Sequence, residues 1–110
     1  MIHATVYVND NHAYTGFDFI GHAEYSEEGT DIVCAAASIL VINTLNAIER
    51  YTSDETSCVS NEDEGMIEFR FMKEPTHDAQ LLVKVMVLGL ESLEDNSEYE
   101  PYIDIIFKEV

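Results

Sequence analysis

Two side chains that can cooperate in nucleophilic catalysis lie twelve residues apart in the first third of the chain. They are His22 and Cys34, in the stretch "GHAEYSEEGTDIVCAAAS" (residues 21–38). An imidazole that reaches a thiol can take its proton, and the thiolate that results is a strong nucleophile. The spacing alone also arises by chance, so a second interpretation stays open. It is a strand end followed by a helix that happens to contain a buried cysteine.

The elements around the pair would have to bring it together. Alternation in residues 2–8 and the aromatic-rich run 13–22 predict a β-hairpin, with His22 closing its second strand. The long apolar run from Asp31 predicts a buried helix with Cys34 in its first turn. The positive end of a helix stabilises a thiolate, and the free N–H groups there could hold an oxyanion. Residues 23–30 would be the loop between the two.

The rest of the chain predicts a second, similar unit. Residues 58–60 and 66–72 predict another hairpin, Pro75 opens a helix that runs to about Leu93, and residues 102–109 predict a last strand. The fold class is therefore α+β: a single domain, residues 1–110, in the order β-β-α-β-β-α-β, with two helices packed on a mostly antiparallel sheet. Both helices are apolar on most sides, which predicts a homodimer. The alternative is that the sheet and the other helix cover them.

The net charge of the chain limits the classes of partner that it is expected to bind. Twenty-two acidic residues against five basic ones give a net charge of −17. Such a surface disfavours direct contact with nucleic acid and with anionic membranes, and it attracts cationic partners. It could also serve solubility alone.

Cysteine usage and the N-terminus indicate the compartment. There are two cysteines, and the start "MIHATVYVND" has no basic segment followed by an apolar run. A cytoplasmic protein with reduced thiols is expected, without a disulfide between Cys34 and Cys58. No cofactor or metal is expected, because Cys58 and His77 are far in sequence from His22 and Cys34.

The motif around the pair is more specific than its spacing. Gly21-His22-Ala23, five residues, Gly29, one residue, Asp31-Ile32-Val33-Cys34-Ala35-Ala36, one residue and Ser38 resemble the signature of the bacterial ribosomal-processing cysteine protease family (Prp). The predicted element order fits this resemblance over all 110 residues.

The resemblance implies a homodimeric endopeptidase that removes a short N-terminal extension from a large-subunit ribosomal protein. Cys34 would be its nucleophile and His22 its base. The family's substrate extension ends in an apolar, phenylalanine-containing stretch, so a hydrophobic groove is expected, with residues 23–30 as a flap over it. Ribosomal proteins are basic, so the acidic surface would favour the free substrate, and cleavage before ribosome assembly is predicted.

Four further motif residues are candidates for supporting roles. Gly21 belongs to the motif, and Gly29 is expected to adopt a backbone conformation closed to other residues. Asp31 could orient His22 or cap the helix, and capping is favoured because a carboxylate beside the thiolate would disfavour it. Ser38, one turn after Cys34, could bond His22 or substrate, or back-bond to its own helix.

Two other functions are open on the residues alone. One is a non-catalytic acidic module that binds basic peptides or ribosomal proteins. The other is a Cys–His acyl-transfer or deamidation enzyme. An approach of the Cys34 sulfur to a His22 ring nitrogen within about 4 Å would separate catalysis from the binding module.

Overall fold

The computed structural model describes residues 1–21, 28–61 and 63–110, and in the first helix it describes side chains from residue 32 onward. Its strands and helices follow the predicted order β-β-α-β-β-α-β, with a short 3₁₀ turn before the last strand. The elements are β1 (Ile2–Val8), β2 (Tyr14–Ile20), α1 (Glu28–Tyr51), β3 (Thr56–Asn61), β4 (Met66–Phe71), α2 (His77–Asp95), the 3₁₀ turn (Glu100–Tyr102) and β5 (Ile103–Glu109).

The five strands form one sheet in the order β3-β4-β2-β1-β5. The pairs β1–β2, β2–β4 and β3–β4 are antiparallel, and β5 joins the edge of β1 in parallel. The connection from β4 to β5 therefore crosses the sheet through α2, as a parallel pair requires. The fold class predicted from the sequence is confirmed.

The helices cover one face of the sheet. From α1, buried residues recur every three or four positions at Val33, Ala37, Val41, Thr44 and Ile48, and each is at most 7 % exposed. This spacing forms the stripe that a helix needs to pack on a sheet. The stripe joins one core with apolar side chains from α2 and from the helix-facing side of the strands, including Val83, Leu90, Ile2, Val6, Phe17 and Phe69.

Side-chain chemistry explains where α2 begins. Pro75 precedes it, and the Thr76 hydroxyl accepts a hydrogen bond from the N–H of Ala79 as an N-cap. Asp54, in the link after α1, accepts hydrogen bonds from both the N–H and the hydroxyl of Thr76, at 2.8 and 2.6 Å. The start of α2 is therefore tied to the end of α1.

The open face of the sheet carries one polar cluster, made of Tyr7, Asp18 and Arg70. Arg70 donates to Asp18 at 2.8 Å, and its guanidinium lies 4.3 Å from the centre of the Tyr7 ring. The Tyr7 hydroxyl donates to the same carboxylate. Gly16 makes room for Arg70, because a Cβ at this position would lie 2.5 Å from the Phe69 carbonyl oxygen and 2.7 Å from the Arg70 Cδ. This cluster joins β1, β2 and β4 on the side that no helix covers.

Helix α1 begins earlier than the sequence predicts. It starts at Glu28 rather than at Asp31, so residues 28–30 of the expected 23–30 loop are helical. Alanine-rich helices extend easily at low cost per residue, and the acidic residues before Asp31 suit a helix N-terminus. The remainder of the expected flap, residues 23–27, lies outside the described residues, as does His22.

The apolar part of α1, Ile32–Tyr51, is long enough by length and composition to cross a membrane, with a mean hydropathy of 1.8. A core helix passes the same test. Here one side of α1 packs in the core, and Leu40 contacts α2 at Gly89. The apolar character is therefore accounted for in part by packing against the sheet and α2.

Candidate active site

Cys34 lies on one flank of α1 and is half-buried against the core. Counted from Glu28, it is the seventh residue of the helix, so the prediction that it lies in the first turn is wrong. The field of a helix terminus falls off within about one turn, and only the first four N–H groups of a helix lack partners. The helix N-terminus is therefore not what would activate this thiol or supply an oxyanion hole through the Cys34 N–H.

The thiol faces the end of β2. The Cys34 Sγ lies 4.0 Å from the carbonyl oxygen of Gly21, the residue that directly follows the strand. Gly21 is held in turn by β4's hairpin, because its N–H donates to the carbonyl of Gly65 at 3.0 Å. Gly65 has φ 61°, a left-handed conformation that glycine adopts without strain. The turn of the β3–β4 hairpin therefore holds in place the end of β2 that contacts Cys34.

An apolar groove runs from this point along α1. It has a volume of about 310 Å³ and lies between α1, the end of β2 and the β3–β4 hairpin. On the helix side it is bounded by Ser38, Ile42 and Leu45. The residues that line the strand side are Phe19, Gly21, Cys58, Ser60, Asn61, Gly65, Met66 and Ile67. Cys34 precedes Ser38 by one helical turn, so the thiol and the helical wall of the groove follow each other on one flank of α1.

The structure brings three of the predicted site residues together. Gly21 and Ser38 line the groove, and Cys34 contacts Gly21. Within residues 1–21, 28–61 and 63–110 the Ser38 hydroxyl makes no hydrogen bond, so back-bonding to its own helix is not observed, whereas Thr44 does back-bond, to Leu40. His22 lies outside the described residues, and so does the predicted approach of its ring to the Cys34 sulfur.

Two predictions about supporting residues are corrected by the length of α1. Asp31 is the fourth residue of the helix, so it does not occupy the N-cap position. Gly29 is its second residue and has helical backbone, which any residue can adopt, so the expectation of a special conformation is wrong. The sequence overestimated the loop because glycine inside "SEEGTD" suggests a turn, and the helix nevertheless continues through it.

Several groove residues were not singled out from the sequence. Cys58 is exposed, not bonded to Cys34 and part of the groove wall. Although the residue is exposed, partial desolvation of its thiol in the groove wall raises the pKa of Cys58, which favours the neutral form. Ile42 carries a usable signal, since it lies eight residues after Cys34 and so shares its flank of the helix.

A half-buried thiol that contacts Gly21 beside an apolar groove is the arrangement expected of one class, a hydrolase with a cysteine nucleophile and a peptide-like substrate. Residues 1–104 match the sequence model of the family described as Cysteine protease Prp. The ribosomal processing cysteine protease Prp of Staphylococcus aureus is 32 % identical over 108 residues, covering 98 % of this chain and all of that protein. The chain therefore belongs to the Prp family of cysteine proteases.

Solved structures agree with this membership. The crystal structure of the S. aureus protease Prp in complex with a substrate peptide has a TM-score of 0.90 and 31 % identity, over 98 % of this chain and all of that one. A second structure of the S. aureus protease carries a covalently linked product peptide, with a TM-score of 0.87, 32 % identity and the same coverage.

Proposed function

We propose that this chain is a cytoplasmic, homodimeric endopeptidase that removes the N-terminal extension of a large-subunit ribosomal protein, with Cys34 as nucleophile and His22 as base. The observation that carries the proposal is the position of Cys34, at the end of an apolar groove and 4.0 Å from the Gly21 carbonyl. Gly21 is joined to His22 by one peptide bond. The related S. aureus protein is named for ribosomal processing and has been crystallised with a substrate peptide.

The chemistry follows from a thiol and an imidazole. The imidazole of His22 takes the proton of Cys34, and the thiolate attacks the carbonyl carbon of the scissile bond. The tetrahedral intermediate collapses as the imidazolium gives its proton to the leaving amine, which leaves an acyl group on the Cys34 sulfur. Water, deprotonated by His22, then hydrolyses this thioester and regenerates the thiol. The covalently linked product peptide on the S. aureus relative supports a covalent step of this kind.

The position of Cys34 indicates that a neighbouring base, more than the helix, activates its thiol. Because the thiol lies in the second turn of α1, the helix dipole contributes little, and the proton must be removed by a neighbouring group. Asp31 lies in the same stretch of sequence. Because it is not the N-cap, its carboxylate is a candidate for orienting the His22 ring. A thiolate formed only when His22 is in place would keep the enzyme inert until the pair is assembled.

The surface of the chain suits a basic substrate. The groove is apolar, whereas the chain as a whole has a net charge of −17. An apolar extension would fill the groove while the basic body of a ribosomal protein meets acidic surface. This charge supports action on the free protein rather than on the assembled ribosome, where the substrate's charge is covered by RNA.

The helix layer supports the dimer. Large apolar side chains on its outer side are half-exposed or more: Ile32 53 %, Ile39 70 %, Leu81 51 %, Val85 57 % and Leu88 65 %. We call these five residues the outer helix face. Exposed apolar side chains in this number on one layer are well covered by a second copy, with the two helix layers packed together.

The experiment compares cleavage of the extended ribosomal protein by the wild type, Cys34→Ala, Cys34→Ser and His22→Ala. The three variants are expected to lose activity by roughly a thousandfold or more, because the nucleophile and its base act as a unit. His77→Ala, at an exposed position at the start of α2, is the matched histidine control and should cleave at the wild-type rate. Mass spectrometry of the products locates the cleaved bond.

Each alternative function has its own signature in this assay. Cleavage retained by Cys34→Ala would refute the nucleophile. Binding of the ribosomal protein by the wild type without cleavage would favour the non-catalytic acidic module. A gain in mass equal to an amide-to-acid conversion, with the chain intact, would identify a deamidase.

A further inference from the structure

The sheet has two edges, and they are not equally protected. At the β5 edge, the N–H of Ile105 donates to the carboxylate of Glu94 at 2.9 Å, and Lys108 and Glu109 lie at the end of the strand. At the other edge, all six residues of β3 are exposed and no described strand pairs with its outer side. Its sequence, Thr56–Asn61, contains no charged residue and no proline, although the chain has 22 acidic residues. Natural edge strands usually carry such protection, because an open edge is a template for another strand.

The phase of the β3–β4 ladder shows which groups are free. The N–H of Met72 donates to the carbonyl of Glu55 at 2.9 Å, and the register continues without a shift to Asn61 opposite Met66. In an antiparallel ladder, successive residues point their N–H and C=O groups alternately toward and away from the partner strand. Ser57, Val59 and Asn61 therefore bond to β4. The backbone groups of Thr56, Cys58 and Ser60 point outward from the edge.

Two of these residues, Cys58 and Ser60, also face the groove. Cys58 lies opposite Phe69, which is buried beneath the helices, and Ser60 lies opposite Ile67. Their side chains are thus on the helix side of the sheet, and both line the groove that leads to Cys34. One short, uncharged strand, β3, therefore provides both the free backbone groups and part of the groove wall.

We propose that the part of the substrate remote from the scissile bond binds as a sixth strand on the free edge of β3, hydrogen-bonded to the backbone of Thr56, Cys58 and Ser60. This inference rests on the proposed function, since the groove is what connects the edge to Cys34. Strand addition binds an extended segment through its backbone, so it tolerates varied side chains away from the cleavage site.

The distances set the length of substrate required. Neighbouring strands are about 4.8 Å apart, so an added strand would lie about 14 Å from β2, whose end meets Cys34. An extended residue spans about 3.3 Å, so four or five residues bridge the edge and the thiol across the groove. Peptides with too few residues between the scissile bond and the paired segment should not reach the edge of β3. They should therefore bind more weakly than longer peptides.

The first test uses the wild-type enzyme and a peptide that spans the cleavage site, methylated at one backbone nitrogen at a time. An added strand alternates the direction of its N–H groups, so methylation should raise KM at every second residue of the paired segment and not at the residues between. The expected rise is roughly tenfold at each sensitive position. A scan without this alternation overturns the proposal.

The second test changes the edge itself. Ser60→Pro removes an N–H that points away from β4, so the β3–β4 ladder keeps its bonds, whereas Ser60→Ala removes the hydroxyl and keeps the N–H. For the long peptide, Ser60→Pro should have a KM roughly tenfold above that of Ser60→Ala, with similar kcat. For a peptide truncated to the groove segment, the two variants should agree.

Three other results contradict the inference. One is equal KM values of the two variants on the long peptide. Another is a change from dimer to monomer in Ser60→Pro alone, which would assign the edge to a second copy of the chain. The last is cleavage of the long and truncated peptides with equal KM by the wild type. Failure of the wild type to cleave any peptide would instead refute the proposed function, so the two failures are distinct.

Discussion

A methyl group at Gly21 would disturb the strand end that meets Cys34. A Cβ there would lie 3.1 and 3.2 Å from the Phe19 ring and 3.3 Å from Ile2 Cγ1, which is tighter than ordinary contact. Phe19 is 2 % exposed and packed in the core, so its ring has little freedom to move away. The strain would therefore pass to the Gly21 backbone, whose carbonyl contacts the thiol.

Gly21→Ala should accordingly lower kcat/KM by roughly tenfold, because small displacements of reacting groups are costly in rate. Steady-state cleavage of the extended ribosomal protein measures this. Gly89→Ala is the matched control: its Cβ would meet the flexible end of the Leu40 side chain at 2.9 Å, and neither Gly89 nor Leu40 lines the groove. Wild-type kcat/KM in Gly21→Ala would show that the strand end does not position the reacting pair.

The sequence predicted the candidate site well at the motif residues that contact each other. It predicted the supporting residues around them less well. Cys34, Gly21 and Ser38 meet as the motif suggests. The role of Asp31 was misjudged, because helix starts depend on small free-energy differences per residue that one carboxylate does not decide. Cys58 and Met66 reach the groove from distant strands, and no local pattern contains that information.

At the scale of elements, the cluster of Tyr7, Asp18 and Arg70 stabilises the uncovered face of the sheet. Burial alone would raise the pKa of Asp18, but hydrogen bonds from Arg70 and Tyr7 outweigh it and lower the pKa below its ordinary 3.8. The charged carboxylate is therefore favoured by folding. Its contribution is present above the pKa of the unfolded chain and is lost as the pH falls through the lower pKa of the folded state.

Asp18→Asn should lower the free energy of unfolding by about 1 kcal/mol at pH 7, a value that allows for solvent screening of the partly exposed Arg70. As the pH falls below about 4 and then through the lower pKa of the folded state, the difference from the wild type should shrink, because the wild-type carboxylate progressively loses its charge. Urea unfolding at both pH values measures it. Asp10→Asn, in the exposed turn after β1, corrects for the general effect of removing one negative charge. A difference independent of pH would contradict the role of the charge.

The elements themselves were largely predictable because their patterns are local. Alternation in Ile2–Val8 and the cap at Thr76 report directly on strand and helix. The order of the strands is not local. That β4 pairs with β2, and that β5 lies parallel to β1, depends on how the two helices cover one face. The order and number of the helices and strands excluded some strand pairings but did not single out the observed one.

At the scale of the whole molecule, the outer helix face is expected to hold the dimer together. Leu88→Lys places a charge on that face, where Leu88 is 65 % exposed in the single chain. Burying an unpaired ammonium is costly, so the dissociation constant of the dimer should rise at least tenfold. Sedimentation equilibrium measures it. Ile106→Lys, at a similarly exposed position on the uncovered face of the sheet, should leave the dimer intact. The reverse pattern would assign the dimer to the sheet face.

The net charge of −17 makes a prediction about rate rather than fold. Long-range attraction accelerates the encounter of oppositely charged proteins, and salt screens it over about 10 Å at 0.1 M. The kcat/KM for the whole basic ribosomal protein should therefore fall roughly tenfold between 0.05 and 0.5 M NaCl, whereas that for an uncharged peptide from the cleavage site should change little. Free substrate should also be cleaved faster than the same protein within the ribosome, where RNA repels the enzyme. Equal rates for free and incorporated substrate would show that the charge serves solubility and does not select the stage of assembly at which cleavage occurs.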